Sequence, residues 1–391
     1  MPLNIEVSKL PFPEATISPF AITWKAYTIV WGGGITPLSA FYIHESGKWT
    51  LKNAVGDAPE AYMPFAVSVH RIDTRMLVFG ARGQGQNLVI GQGSESAIYS
   101  LDLDAFRWSR LHSTGTGPSD LHQGMSSWVH DKRVYFFGGA RMGKLNRAND
   151  LFCFNPRDNS WGLENQGRDI PSPRESCQNV ISGDTIFLYG GYSAWSRYND
   201  LHILDMETKL WKKVHGNLTS GMVRNEPCDS KLTLITQSSA ILFGSFTRYT
   251  DAAPVLEDDC WHLSLENAKQ MTNSSKIWSR FRSHLVRSLF TCVLEPVTLK
   301  LWVIGGRKSP PFIDINGYTT DVLEVSFNIS SLRNILLEYV SRFISCEDRA
   351  VMPSHFPIAL KKEIESYREQ FLICGAEKGC HVCQYSKEQN N

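Results

Sequence analysis

The sequence predicts an all-β fold of six repeated units, followed by a short helical segment. Three observations carry this expectation. First, six apolar, β-prone runs end in glycine: Ile29-Val30-Trp31-Gly32-Gly33, Met76-Leu77-Val78-Phe79-Gly80, Val134-Tyr135-Phe136-Phe137-Gly138-Gly139, Ile186-Phe187-Leu188 with Gly190-Gly191, Ala240-Ile241-Leu242-Phe243-Gly244, and Leu301-Trp302-Val303-Ile304-Gly305-Gly306. Second, each run leads to another apolar run, as in Leu201-His202-Ile203-Leu204, and in five copies to a tryptophan: Trp49, Trp108, Trp161, Trp211 or Trp278. Third, the copies recur about every 50 residues, a period of repeat architectures. Apolar runs separated by turn residues read as antiparallel strands, and glycine lets backbone pass where a side chain would clash. The glycines and tryptophans are therefore expected to serve turns and cores rather than chemistry.

The combination resembles kelch repeats, and that resemblance implies a six-bladed kelch β-propeller. The sixth copy has no tryptophan strand after it. The alternating Asn4–Leu10 stretch ahead of the first glycine strand is expected to supply the missing strand and close the ring, which leaves no long unpaired edge. Residues 1–328 are assigned to the propeller, 329–372 to the helical segment and 373–391 to a disordered tail. Blade two has Phe79-Gly80-Ala81 in place of a double glycine, and its loop from Arg82 to Ser94 is glycine-rich without being a phosphate loop: no Gly-Lys-Ser/Thr closes it. Blade five has Gly244-Ser245, and its Leu265–Ile277 connection is long and polar.

After Phe327 the period changes. Leu332, Ile335, Leu336, Tyr339, Val340 and Phe343 recur at three- and four-residue steps, the pattern of an amphipathic helix. Ser330 or Ser331 is its N-cap. A second helix is expected after Pro353 or Pro357 as far as Phe371. Such helices either cap the ring or dock on another chain. Ser331–Val340 resembles a BC-box, the helix that binds elongin C, with Leu336 where the family has cysteine. Leu332, Leu336 and Val340 fall on one face, suited to a groove. Met352-Pro353-Ser354-His355-Phe356 with Leu360 resembles a cullin-2 box. From about Val30 to Phe371 the chain resembles the kelch domain-containing substrate receptors of cullin-RING ubiquitin ligases, above all those that read protein C-termini. The resemblance implies elongin B/C and cullin-2 as partners, a degron peptide as ligand, and no catalysis by the chain itself. A kelch scaffold without a ligase role is the alternative.

In that family arginines and a hydroxyl bind the substrate's terminal carboxylate in a bowl on one propeller face. Arginine's planar fork suits a carboxylate. The family's fourth-blade loop carries one arginine directly after the double glycine and another five residues on; here these places hold Tyr192 and Arg197. The family's Arg-Ser pair at the opening of the next blade falls on Arg224-Asn225. Trp195 supplies aromatic volume in place of Ala140 and Ala148, and Arg141, Lys144 and Arg147 supply positive charge. Arg248 and Arg307 are lesser candidates. Arg174 is expected to bond backbone carbonyls at a blade start.

The formal charge of +1 over 391 residues gives no global field for nucleic acid or an anionic membrane. No signal sequence and no bilayer-length apolar run are visible. Nine cysteines, four of them (Cys153, Cys177, Cys260 and Cys292) in or beside strands, favour a reducing compartment, hence cytoplasm or nucleus. No nucleophile–base pair or His/Tyr copper cluster stands out, and no cofactor is expected. Cys374, Cys380, His381 and Cys383 could hold zinc, but their spacing matches no common finger.

Overall fold

A computed structural model of the chain describes residues 5–327 apart from 17, 63–66, 82–96, 119–122, 141–145, 215–229, 237, 245, 250–253, 258, 271–276, 283–286, 296–299 and 308–318. The two expected C-terminal helices and the cysteine tail lie outside the described residues, as do Arg141, Lys144, Arg224 and Asn225. The contacts divide the chain into two units. Val7–Val325 is the propeller. The other, Met1–Glu6 with Ser326–Asn391, has among the described residues only the ends of the first and last strands.

The first strand, β1 (Ile5–Thr16), belongs to the last blade. Blade one is β2 (Phe20–Trp24), β3 (Tyr27–Trp31), β4 (Ala40–Glu45) and β5 (Lys48–Asn53). A two-residue strand, β6 (Val55–Gly56), then joins the outer edge of blade two in parallel. Blade two is β7 (Ser68–Ile72), β8 (Arg75–Ala81), β9 (Ala97–Asp102) and β10 (Arg107–Leu111). Its successor repeats the arrangement, with β11 (Thr114–Gly115) on the edge of β12 (Ser126–His130), β13 (Arg133–Phe137), β14 (Leu151–Asn155) and β15 (Ser160–Leu163). Blade four is β16 (Gln178–Ser182), β17 (Thr185–Tyr189), β18 (Leu201–Asp205) and β19 (Trp211–Val214).

Blade five uses β20 (Ser230–Thr236) and β21 (Ser239–Gly244), then an extra hairpin of β22 (Phe246–Tyr249) and β23 (Pro254–Glu257), then β24 (Asp259–Ser264). A short helix α1 (Leu265–Gln270) precedes its outer strand β25 (Trp278–Arg282). The connection read as merely polar thus carries a helical turn, and its Leu265 and Ala268 are buried in the core between blades four and five. Blade six is β26 (Thr291–Leu294), β27 (Leu301–Ile304) and β28 (Thr319–Phe327), with β1 paired outside β28. The amino-terminal strand therefore closes the ring, as the sequence predicts.

Every blade pairs its four main strands in chain order, β1 excepted; β2 to β5 and β16 to β19 pair antiparallel, and the short edge strands β6 and β11 add in parallel. The innermost strands touch in a cycle: β2 on β7, β7 on β12, β12 on β16, β16 on β20, β20 on β26, and β26 on β2. The fold is thus a six-bladed propeller. Its cores lie between blades, where apolar residues of neighbouring sheets interdigitate. Trp108 of β10 packs with Trp31 and Phe41 of blade one, and Trp211 of β19 packs with Tyr135 and Phe137 of blade three. Both indoles are fully buried and donate to Ser39 O (3.2 Å) and Gln166 Oε1 (2.8 Å), as a buried indole N–H requires. Trp161 sits half-buried against Phe79, Phe136 and Phe154.

The double glycines follow the second strand of a blade, where its turn lies against the entry segment of the next blade. Gly139 N–H donates to Arg174 O at 2.9 Å and Gly306 N–H to Thr16 O at 2.8 Å, each bond joining a glycine turn to the entry segment of the following blade. Gly191 has φ +85°, and a Cβ there would stand 2.6 Å from both Glu175 O and Cys177 Sγ. Where the second glycine is missing, the strand does not turn away. In blade two β8 continues past Gly80 (φ +87°) through a register shift to pair Ala81 with Ala97, and in blade five the β22–β23 hairpin follows Gly244. Gly191→Ala is expected to cost about 2 kcal/mol or more through left-handed strain plus the backbone clash. Chemical denaturation would measure this, and a cost within about 0.5 kcal/mol, the range of ordinary surface changes, would contradict this account of the turn.

Candidate functional site

The glycine turns and the entry segments of all blades share one end of the ring, because each first strand starts where each second strand finishes. Two residues before the first strand stand Ser18, Gly124, Ser176 and Leu289 in blades one, three, four and six, and all have positive φ (47°, 68°, 56° and 54°). Ser176 N–H donates to Gly124 O and Ser18 N–H to Leu289 O, both at 2.7 Å, so these left-handed residues knit neighbouring blades around the mouth of the channel. One residue earlier, Gln123, Glu175 and Ser288 bridge by backbone to the residue after each glycine pair: Ala140, Tyr192 and Arg307.

On this frame the arginines separate into two groups. Arg174 and Arg287, four residues before β16 and β26, are 1% exposed. Arg174 donates to Ser172 O, to Gly190 O at 3.0 Å and to both Asp200 oxygens at 2.6 and 3.2 Å, under the ring of Tyr198 at 3.9 Å. Arg287 repeats this with Gly305 O, Thr319 and Asp321. The expected carbonyl bonds are present, and a carboxylate adds to them. Burial would raise the Asp200 carboxyl, but hydrogen bonds from His202 and Arg174 more than offset it and hold it well below the usual carboxylate range. Arg147 is tied across the blade boundary to buried Glu175 at 2.5 Å. Burial raises the Glu175 carboxyl, against the pull of Arg147 and a hydrogen bond from Tyr192. Arg307 is buried in its turn.

Arg197 belongs to the second group. It bridges by backbone to Tyr192, as Arg147 does to Ala140, so the two arginines occupy equivalent places in blades three and four. Its side chain, however, is exposed. Ser193 braces the loop: its N–H donates to Ser196 O at 2.7 Å, and its hydroxyl accepts from the N–H groups of Trp195 and Ser196. Trp195 rises from this turn 86% exposed. Tyr192, half-buried, forms the floor. The structure thus brings Tyr192, Trp195 and Arg197 together on one ordered loop at the mouth.

Beneath the mouth lies an axial cavity of about 360 Å³, lined by all six inner strands or their entries. Sequence reasoning missed its residues. His70, on β7, is joined to the Ser127 hydroxyl at 2.9 Å, which donates to Ser68 at 3.0 Å. Its ring meets Phe79 and Phe136 edge-on, and burial pushes its pKa down to about 4. Gln178, Asn179 and Lys231 complete the polar wall. Aligning the strands that precede each glycine run, rather than the glycine runs themselves, would have exposed this layer.

His70 is neutral in the folded chain over the range where an unfolded histidine takes a proton. Stability from the neutral ring is therefore full above about pH 6.5 and lost as pH falls toward 4. The stability difference between wild type and His70→Gln should shrink steadily between those limits in denaturant titrations; a flat difference would show that the ring does not titrate in this window.

No helix among the described residues is long and apolar enough to cross a membrane, and no cluster of His, Cys, Asp or Glu among them could hold a metal ion. The profile of the KLHDC2/KLHL20/DRC7 Kelch-repeats domain matches residues 20–245, from the start of β2 to just past β21, more than half of the chain. Kelch domain-containing protein 2 of Bos taurus is 24% identical over 295 residues, 66% of this chain and 68% of that protein. Kelch domain-containing protein 10 of Xenopus laevis is 24% identical over 312 residues, 77% and 69% of the two chains. The solved structure of YjhT superposes with a TM-score of 0.56 at 16% identity, over 81% of this chain and 98% of its own, which establishes likeness of fold alone. A ring with these repeats, glycine turns and entry bridges is a kelch propeller, a protein-interaction fold, and the chain belongs to the KLHDC2/KLHL20/DRC7 kelch-repeat family.

Proposed function

We propose that the chain is the substrate-recognition subunit of a cullin-RING ubiquitin ligase. The propeller holds a short degron, a protein C-terminus, at the face that carries the glycine turns, and residues 329–372 dock elongin B/C and cullin-2. The chain catalyses nothing itself; associated subunits transfer ubiquitin, in the cytoplasm or nucleus. The observation that supports the binding half is the blade-four loop. The loop carries Arg197 and Trp195, both exposed, at the end of the ring where the entry segments of the inner strands line a polar cavity. A cation beside an aromatic surface at a channel mouth suits an anionic peptide end. The ligase half rests on Leu332, Leu336 and Val340, followed by Met352, Pro353, Phe356 and Leu360, in that order behind a kelch propeller.

Elongins B and C should co-purify with the full chain, and Leu332→Asp should abolish this while the propeller stays folded, since an unpaired charge in an apolar groove costs several kcal/mol. Changing Pro353 and Phe356 together to Ala should weaken cullin-2 recruitment and spare elongin. A folded Leu332→Asp chain that still retains elongin sinks the BC-box assignment and leaves a kelch scaffold as the better account.

Arg197→Ala should weaken a C-terminal peptide by about tenfold, the equivalent of one lost charge-assisted contact. Lys at this position should rescue only part, because it lacks the fork. Titration of matched acid and amide peptides, found by a random C-terminal degradation screen, measures both effects. Equal affinity for acid and amide would remove the carboxylate from the mechanism.

A further inference from the structure

The inner strands enter the channel in register, so equivalent positions form layers around the axis. Counted from the pairing with each second strand, the first layer is Phe20, Ser68, Ser126, Gln178, Lys231 and Thr291. The second is Ala21, Val69, Ser127, Asn179, Leu232 and Cys292. The first layer is polar in every blade but the first, and Lys231 is its one ammonium.

Lys231 is the one formally charged side chain among the described residues that line the axial cavity. Its side chain is exposed to the channel. The other titratable groups of the lining are neutral at physiological pH. His70 is pushed down to about 4, and burial pushes the Cys177 thiol up to about 12. Cys292, beside Lys231, is likewise raised by burial and only partly drawn back by the ammonium, so it gives no counter-anion. Among the described residues the lining contains no aspartate or glutamate. Lys231 is therefore a cation held in a polar cavity whose lining also carries the hydroxyls of Ser68 and Ser127 and the amides of Gln178 and Asn179.

We infer that this axial cavity is a carboxylate subsite of the peptide-binding face, with Lys231 as its charge. The inference rests on the peptide-receptor reading above and names what the propeller holds below the rim. One ammonium with hydroxyl and amide neighbours matches a monoanion; a phosphate dianion calls for a cluster of cations that the cavity lacks. The volume, at the lower end of ligand pockets, admits the end of an extended peptide and not a folded segment. The carboxylate is the peptide's own terminus or an acidic side chain next to it.

The test uses the full chain and a synthetic library of random heptapeptides in four forms: free acid or amide terminus, with or without Asp and Glu. Wild type should retain carboxylate-bearing peptides. Lys231→Gln and Lys231→Met should lower that retention about tenfold, Lys231→Glu should lower it further, and Lys231→Arg should keep most of it. Unchanged melting temperatures check that the variants fold. A loss confined to free acids assigns the subsite to the terminus, and one confined to Asp- or Glu-containing peptides assigns it to the side chain. Carboxylate-dependent retention that ignores every change at 231, or wild-type retention that does not depend on a carboxylate, overturns the subsite and leaves the receptor reading standing. No retention by wild type in any form overturns both.

Discussion

Six blades share one axis only if each second strand can turn away beside the next blade's entry within the width of a glycine. That close approach governs everything else at this end of the ring. Gly139 and Gly306 donate to carbonyls of the following blade's entry segment, and Gly191 lies too close to Glu175 and Cys177 for a side chain. Around them, Ser18, Gly124, Ser176 and Leu289 take left-handed backbone so that neighbouring entries can bond. Non-glycine residues adopt this conformation only when their surroundings over-determine it. Serine and leucine doing so at equivalent places shows that the ring, not the local sequence, dictates the turn.

The same close approach consumes charge. Carbonyls crowded at a glycine turn need donors, and Arg174 and Arg287 supply them from the blade start. A buried guanidinium needs a carboxylate in turn, which is why Asp200 stands just before the third strand of blade four and Asp321 near the start of that of blade six. Arg147 and Glu175 extend this logic across a blade boundary. Removing one member of such a pair leaves a buried charge, at a cost of about 3–5 kcal/mol. A count of arginines on this face therefore overstates its capacity for an anion, since several are already neutralised by the architecture.

The fold was legible because its signals are local and repeated. Apolar runs, glycine turns and returning tryptophans state strand, turn and core within about 30 residues, and the missing sixth tryptophan pointed to β1. The short helix at Leu265 was not legible, because its two buried residues carry too little periodicity to register. The rim loop could be placed from Arg197 and its register with Asn199-Asp200. The role of Arg147 could not: its equivalence to Arg197 follows from backbone bridges, and its partner Glu175 lies 28 residues on, in another blade. The axial layer escaped for a related reason. Ser68, Ser127, Asn179 and Lys231 carry no motif, and they come to line one cavity only when the ring closes.

Rim and axis differ in how they can use a cation. Arg197 stands in solvent, where water and salt screen it beyond roughly 8 Å at physiological ionic strength. Its hold on an anion must come from close, forked contact made as the ligand displaces water. Lys231 faces a cavity walled by β-sheet on every side. At a separation of about 4 Å, two unit charges interact by about 1 kcal/mol in bulk water and about 4 kcal/mol at the effective dielectric of a protein surface. The same formal charge thus acts more strongly on the axis, and it does so without a fork. A flexible, compact ammonium suits a narrow channel better than a planar guanidinium, which needs room to align two bonds. On the proposed peptide-receptor reading, the division of labour would follow from geometry: a planar cation near an indole at the rim, and a point charge on the axis.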